Sequence, residues 1–272
     1  MSLKLRFVLL LLSLNQLVIF SQYNFEMGLS IGAANHFGEI GGKNTEAKGF
    51  VGDLLLKQTT PSASWFFRYK ITPHFFAYSS LGYVRLSGDD QYSLEGPRYW
   101  RNLRFVNNII EWTSKIEYVF LDIPDLGRKG RYNTSLNLYG CMGFTLLHHS
   151  PRGSLDGENW VNLRPMQTEG FPYKRVVFGT PIGGGLVITH NRYTRFGLVL
   201  NYVKTFTDYI DDISNIYVDP SILPSSDAAA YANQSTGVVP EEQKYNFMPG
   251  ERRGDPTDDD NYATLSLTYS RY

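Results

Sequence analysis

The stretch RNLRFVNNIIEWTSKIEYVF, residues 101–120, reads differently on its alternate positions. Every second residue from Val106 gives Val106, Asn108, Ile110, Trp112, Ser114, Ile116, Tyr118 and Phe120, a mostly apolar set. Between them lie Asn107, Ile109, Glu111, Thr113, Lys115 and Glu117, mostly polar or charged. Alternation of period two, rich in β-branched and aromatic residues, predicts a strand with one apolar and one polar face. A helix would scatter Glu111, Lys115 and Trp112 over shared faces. The polar face must meet either water or a closed polar interior. At 20 residues the stretch is about twice the 9–11 that cross a bilayer, so part of it is expected to stand clear of the membrane.

Composition narrows the alternatives. Aromatics make up 15 % of the 272 residues and charged residues 19 %, below the usual quarter or so. Lys+Arg and Asp+Glu balance at 26 each, so no overall field recruits nucleic acid or an anionic surface. The single cysteine, Cys141, excludes an intramolecular disulfide and a four-thiolate metal site, and reads as a small packed strand residue. Lys4 and Arg6 precede an apolar run over 7–20, followed by Ser21-Gln22, the layout of a secretory signal peptide over 1–21. That run is short for a spanning helix, and Ser13, Asn15 and Gln16 interrupt it. The remainder, 22–272, is expected to form one domain.

Seven further strands follow from the same alternation. Phe25, Met27, Leu29, Ile31 and Ala33 face one way, with Glu26, Gly28, Ser30 and Gly32 opposite. Trp65, Phe67, Tyr69 and Ile71 oppose Ser64, Arg68 and Lys70. Residues 74–86 form a third strand, and Leu136, Leu138, Met142, Phe144 and Leu146 mark the fifth. A sixth over 181–189 is weakened by Gly183-Gly184-Gly185; the last two carry Phe196, Leu198, Leu200 and Tyr202, then Leu265, Leu267 and Tyr269. Connections after strands one, three, five and seven are long, and those after two, four and six are short. Such alternation, with apolar-out and polar-in strands, predicts an all-β fold: an eight-stranded antiparallel outer-membrane β-barrel, multi-pass in the lipid, with long loops on one rim. Eight strands leave an interior just wide enough for side chains. Glu26, Arg68, Lys70, Glu111, Lys115 and Glu117 are expected to meet there and plug it, because buried charges must be paired. The terminal Tyr272 falls off the parity of Leu265, Leu267 and Tyr269.

Three stretches resemble the PorG-like outer-membrane barrels of Bacteroidetes. They are Glu26-x-Gly28-x-x-x-Gly32 with Asn35-His36-Phe37-Gly38-Glu39; Arg98-x-x-Arg101-Asn102-Leu103-x-Phe105-x-x-Asn108-Ile109-x-Glu111; and Thr205-x-Thr207-Asp208-Tyr209-Ile210-Asp211-Asp212-Ile213-Ser214-x-x-Tyr217. Gly183 to Gly185 after Pro181 also fits, while 221–253 matches poorly. The resemblance implies a structural component of the type IX protein secretion system, serving secretion and, in gliding species, motility. It implies association with a periplasmic ring of a PorK-like lipoprotein and a PorN-like protein. An adhesion or loop-display barrel is the alternative, and a membrane lipid-modifying enzyme a more remote one.

Chemistry-bearing residues gather at the outer rim. Asp208, Asp211, Asp212 and Asp219, with Asp258-Asp259-Asp260 just before the last strand and Arg98, Arg101, Arg252 and Arg253 nearby, gather there; Asp208, Asp211, Asp212 and Asp259 are the calcium candidates, although the spacing matches no EF-hand loop. The leading expectation for them is an ion network of Arg98 and Arg101 with Asp208, Asp211 and Asp212. A Ser87–His36–Asp89 or Asp90 arrangement is conceivable at the rim, but no spacing demands it. Glu111 and Glu117 are too far apart along a strand, about 20 Å, for paired-carboxylate catalysis. The sequence therefore predicts no catalytic residue, no cofactor, no small-molecule substrate and no nucleic-acid partner.

Overall fold

The computed structural model describes residues 24–40, 56–93, 96–124, 134–190, 193–235 and 237–272. The signal peptide over 1–21 lies outside them, as does most of the short connection expected after the fourth strand. The strands are β1 (Phe25–Phe37), β2 (Thr60–Lys70), β3 (Phe75–Asp89), β4 (Arg104–Ile123), β5 (Ser135–His148), β6 (Pro151–Gly153), β7 (Val161–Asn162), β8 (Val176–His190), β9 (Thr194–Thr205) and β10 (Asn261–Arg271). Eight of them close on themselves in the order β1-β2-β3-β4-β5-β8-β9-β10, with β10 pairing back to β1, every pair antiparallel. This is the expected eight-stranded barrel, closed so that no edge is left unpaired. The short β6–β7 hairpin adds to the outer end of β4, where Phe105 to Asn107 pair with Pro151 to Gly153.

Two boundaries differ from the alternation. Pro97–Arg101 is a short helix with proline at its start, ended by Asn102 in the left-handed conformation (φ 60°), so β4 begins at Arg104. Strand β8 begins at Val176 and runs straight through the three glycines. Gly183 is required there: a Cβ would lie 2.2 Å from the Leu200 carbonyl oxygen on β9.

The outward side chains are apolar and uncovered. Leu29, Ile31, Trp65, Leu81, Ile110, Trp112, Ile116, Met142, Phe144, Ile182, Leu198, Leu200, Leu265 and Leu267 are all exposed, Ile31 at 70 % and Leu267 at 68 %. A continuous apolar belt round a closed barrel far exceeds the patches of soluble monomers and is the surface that lipid covers. Near the start of β1 and the end of β10 the belt ends in aromatic pairs, Phe25–Phe67, Phe75–Tyr118 (5.0 Å) and Phe196–Tyr269 (5.4 Å), as at a membrane–water interface. The architecture is that of an outer-membrane barrel.

Inside, charges are stitched together. Arg68 Nη1 donates to Glu26 Oε1 (2.7 Å) and its Nε to Glu117 Oε2 (2.6 Å). Arg195 Nη1 donates to the other Glu26 oxygen (2.5 Å), and Ser270 also donates to Glu26. Lys115 reaches Asn201 (3.0 Å) and sits 4.3 Å over the Tyr78 ring, while Tyr262 donates to Glu111. Lys70 does not join this group: it ends β2 half-buried, with no ion pair to the described members of the network. Arg195 takes its place, on the parity opposite Phe196. Tyr272 has the inward parity of Ser270, and its hydroxyl meets Arg195 (3.0 Å), so the chain end caps the network instead of facing lipid. A cavity of about 50 Å³ remains among Ser30, Ser62, Ser80, Thr113 and Asn201, room for a few waters. Cys141 is buried in β5.

Removing Arg68 would leave Glu26 and Glu117 buried without their shared partner. Arg68→Met is expected to cost about 3–5 kcal/mol, read as a lower urea midpoint for the gel-mobility shift of the refolded barrel. An unchanged midpoint would show that the network contributes nothing to stability.

Candidate functional site: the closed outer rim

The outer ends of the strands do not open to solvent. The segment from 206 to 260 folds back over the mouth, holding a helix at Ser226–Ala232 and an antiparallel bridge between Ile216 and Arg252. Ile210 and Ile213 drop into the barrel against Ala34, Ile40, Leu86, Leu103, Phe105, Ile109 and Leu147. Asn107 on β4 ties this stopper down, donating to the Ile210 carbonyl (2.7 Å) and accepting from Ser150 N (3.0 Å). Above it, Tyr217, Val239 and Phe247 pack with Trp100. The outer length of β4 that exceeds a bilayer is therefore a wall covered on both sides, with Phe105, Val106 and Asn107 all buried.

Three ionic groups hold this cap. In the first, Arg101 donates from Nε and Nη2 to the two oxygens of Asp90 (2.8 and 3.0 Å) and to the carbonyls of Arg253 (3.0 Å) and Glu39 (2.6 Å). Asp208, Asp211 and Asp212 are thus not the acids that Arg101 pairs with. Asp90, directly after β3, also accepts from Leu103 N (3.2 Å) just past the helix. Arg98 Nη2 donates to the Gly38 carbonyl (3.1 Å). In the second group, Arg253 binds Glu169 (2.8 Å) and the Asp212 carbonyl (2.7 Å), and Glu169 accepts from the backbone of Ser214 and Asn215. Asp212, left-handed at φ 73°, turns its carboxylate away from Asp211 toward Thr168 and Tyr173, both at 2.6 Å. Burial raises the Asp212 carboxyl to about 6 against the pull of Arg253.

The third group is acidic and gathers at the top of β1. Asp211 accepts from His36 Nε2 (3.3 Å), Ile40 N (2.9 Å) and Ile213 N (3.1 Å). His36 Nε2 also lies 3.5 Å from Asp260 Oδ1. Asp260 Oδ2 accepts from Ile210 N (2.8 Å), and Glu39 Oε1 from Asp255 N (3.1 Å). Burial, and then repulsion from Asp211, push the Glu39 carboxyl up to about 8; burial, and then Glu39, push Asp208 up to about 9.

The calcium candidates are therefore divided. Asp208 stands with Glu39 and Asp260; Asp211 with His36 and Asp260; Asp212 faces the second group; Asp259 is half-exposed outside all three. Asp260 was readable from parity, since it is in phase with the inward Tyr262 whereas Asp259 is out of phase. Glu39 stands inside the first PorG-like stretch. Glu169 carried no local signal. The arrangement of Ser87, His36 and Asp89 or Asp90 does not form: Ser87 donates to the Gln58 carbonyl, Asp89 caps Gln91 N, Asp90 holds Arg101 and His36 faces Asp211. Glu111 and Glu117 hold separate partners, Tyr262 and Arg68.

No family model matches the chain, and comparison with curated proteins finds no match either. Among solved structures, Ail, the attachment invasion locus protein of Yersinia pestis, is similar at 11 % identity and a TM-score of 0.39, with 91 % of this chain and 98 % of that chain covered. Ail in complex with the heparin analogue sucrose octasulfate is similar at 12 % identity and a TM-score of 0.38, with the same coverage. Likeness at this distance carries no argument about function.

Two measurements probe the rim. Arg101→Lys keeps the charge but loses the two-pronged hold on Asp90, an expected loss of roughly 1.5–3 kcal/mol of cap stability. Amide exchange over 205–217 should accelerate while exchange in the barrel strands stays slow; equal protection in both proteins would remove the role given to Arg101. His149, buried just past β5, donates to the Lys174 carbonyl (2.9 Å), and burial lowers it from 6.5 to about 4. The fold holds it neutral, so its contribution is complete above about pH 6.5. That contribution is lost as the pH falls toward 4, by roughly 3 kcal/mol. His149→Gln should flatten that part of the stability–pH curve relative to wild type, and parallel curves would refute the assignment.

Proposed function

We propose that this chain is a non-enzymatic, multi-pass protein of the cell outer membrane that serves as a structural component of type IX protein secretion. In this reading it anchors a periplasmic ring of PorK-like and PorN-like proteins. The observation that carries the reading is where the three PorG-like stretches meet. Glu39 from the first, Arg101 from the second and Asp208 and Asp211 from the third converge on one closed rim, with Ile210 and Ile213 as its stopper. Residues far apart in sequence thus resemble one family and build one structural unit. A charge-stitched interior and a closed mouth suit a scaffold better than a conduit.

The ring lies in the periplasm, so its contact falls at the end where β1 starts and β10 finishes. There Ile71 and Phe75 flank the tight Thr72-Pro73-His74 turn, both exposed. Tagged protein pulled from detergent-solubilised membranes should bring down a PorK-like lipoprotein and a PorN-like protein, and deletion should block secretion. Absence of both partners with secretion intact would remove the reading. Loop display is the second reading, favoured by Ile222, Tyr245 and Met248, exposed apolar residues on the cap. It predicts intact secretion on deletion and lost surface attachment.

A further inference from the structure

The third group at the rim holds more carboxylate than its neighbours answer. Asp211 is fully engaged by His36 and two backbone amides. Glu39, Asp208 and Asp260 are not. Glu39 Oε2, Asp260 Oδ1 and both oxygens of Asp208 are buried without a hydrogen bond; the Ser214 hydroxyl comes near Asp208, and His36 Nε2 stands 3.5 Å from Asp260 Oδ1. Asp208 is 94 % buried and Asp260 wholly so. One oxygen from each of these three residues lies within 4.8 Å of the other two, the span of donors around an ion bound at about 2.4 Å. The guanidinium groups nearby hold other partners: Arg101 holds Asp90 and two carbonyls, Arg253 holds Glu169, and Arg98 the Gly38 carbonyl.

We propose that Glu39, Asp208 and Asp260 bind a divalent cation of the calcium class at the outer rim, with water completing the oxygen shell. Unanswered buried carboxylates cost several kcal/mol each unless they are protonated or share a cation. All-oxygen donors suit a hard ion, and the medium outside the cell supplies one. The site also has the position to matter. Asp260 Oδ2 holds Ile210 N, the head of the stopper, and Glu39 Oε1 holds Asp255 N. A cation would therefore clamp β1, the 206–214 segment and the start of β10 together. Gly38 leaves the space: a Cβ there would collide with the Asp260 carboxylate and the His36 ring. The inference rests on rim geometry alone and stands apart from the secretion reading.

The test uses the full chain, refolded in detergent free of lipopolysaccharide and stripped with a chelator. Manganese titrated in and followed by its paramagnetic resonance signal should show one bound ion per chain, displaced by calcium. Calcium at about 5 mM should raise the thermal midpoint of the wild type. Asp208→Asn should weaken binding about tenfold or more and abolish the thermal response. Glu39→Gln, at a less buried position, provides the same readout if Asp208→Asn fails to fold. The proposal is overturned by an absence of manganese binding, or by wild-type affinity in both variants. It is overturned too by a response to zinc alone, which would assign the ion to His36, Asp211 and Asp260.

Discussion

The constraint on which everything else depends is that an eight-stranded barrel has an interior too narrow for bulk water and too polar to be left unpaired. Every inward carboxylate and guanidinium must find its partner across the lumen. Glu26 from β1 therefore meets Arg68 from β2 and Arg195 from β9, and Arg68 reaches on to Glu117 of β4. The partners come from four strands, so the network is satisfied only when the sheet has closed in the correct register. A slip of one residue would turn Glu117 toward lipid and Tyr118 inward, at a cost in both places. The network thus discriminates among registers even where its net energy is small.

The same logic reaches the outer rim by different chemistry. There the lumen is closed by apolar residues, Ile210 and Ile213, whose backbone polar groups still need partners once water is excluded. Asn107 and Asp260 supply them from opposite walls, at 2.7 and 2.8 Å. The carboxylates that cap these backbone groups bring their own charge into the same dry space. Two of the three ionic groups answer it with arginine, and the third gathers acids around His36. The cap is tied to the barrel mouth by its polar groups and contains little regular structure.

Reading by parity succeeded wherever a side chain's role followed from the face it occupies. Alternation on β1, β2, β4 and β9 separated lipid-facing from interior residues, and placed Glu26, Arg68, Glu111, Lys115 and Glu117 inside. It also contained Arg195, Asp260 and the inward turn of Tyr272, which follow from the same count carried a residue or two beyond the strand ends. It misplaced Lys70, because parity specifies a face and says nothing of depth; Lys70 is the last residue of β2 and only half-buried. It could not choose among arginine partners at the rim, where no periodicity relates the chain before β4 to the chain before β10.

What the sequence determined by itself is the barrel: strand count, the sense of each face, the long and short connections and the presence of a charged interior. These are local or pairwise consequences of a two-residue repeat and of lipid's refusal to accept polar groups. Only the tertiary structure decided which charges meet. Arg101 takes Asp90 and not the aspartates of the 206–214 segment; Asp208 joins Glu39 and Asp260, and Asp212 turns away through a left-handed backbone. Such pairings depend on how irregular segments from β1, β3 and the 206–260 region pack over a closed mouth, and distances of 3 Å between residues so remote in the chain have no sequence period to announce them.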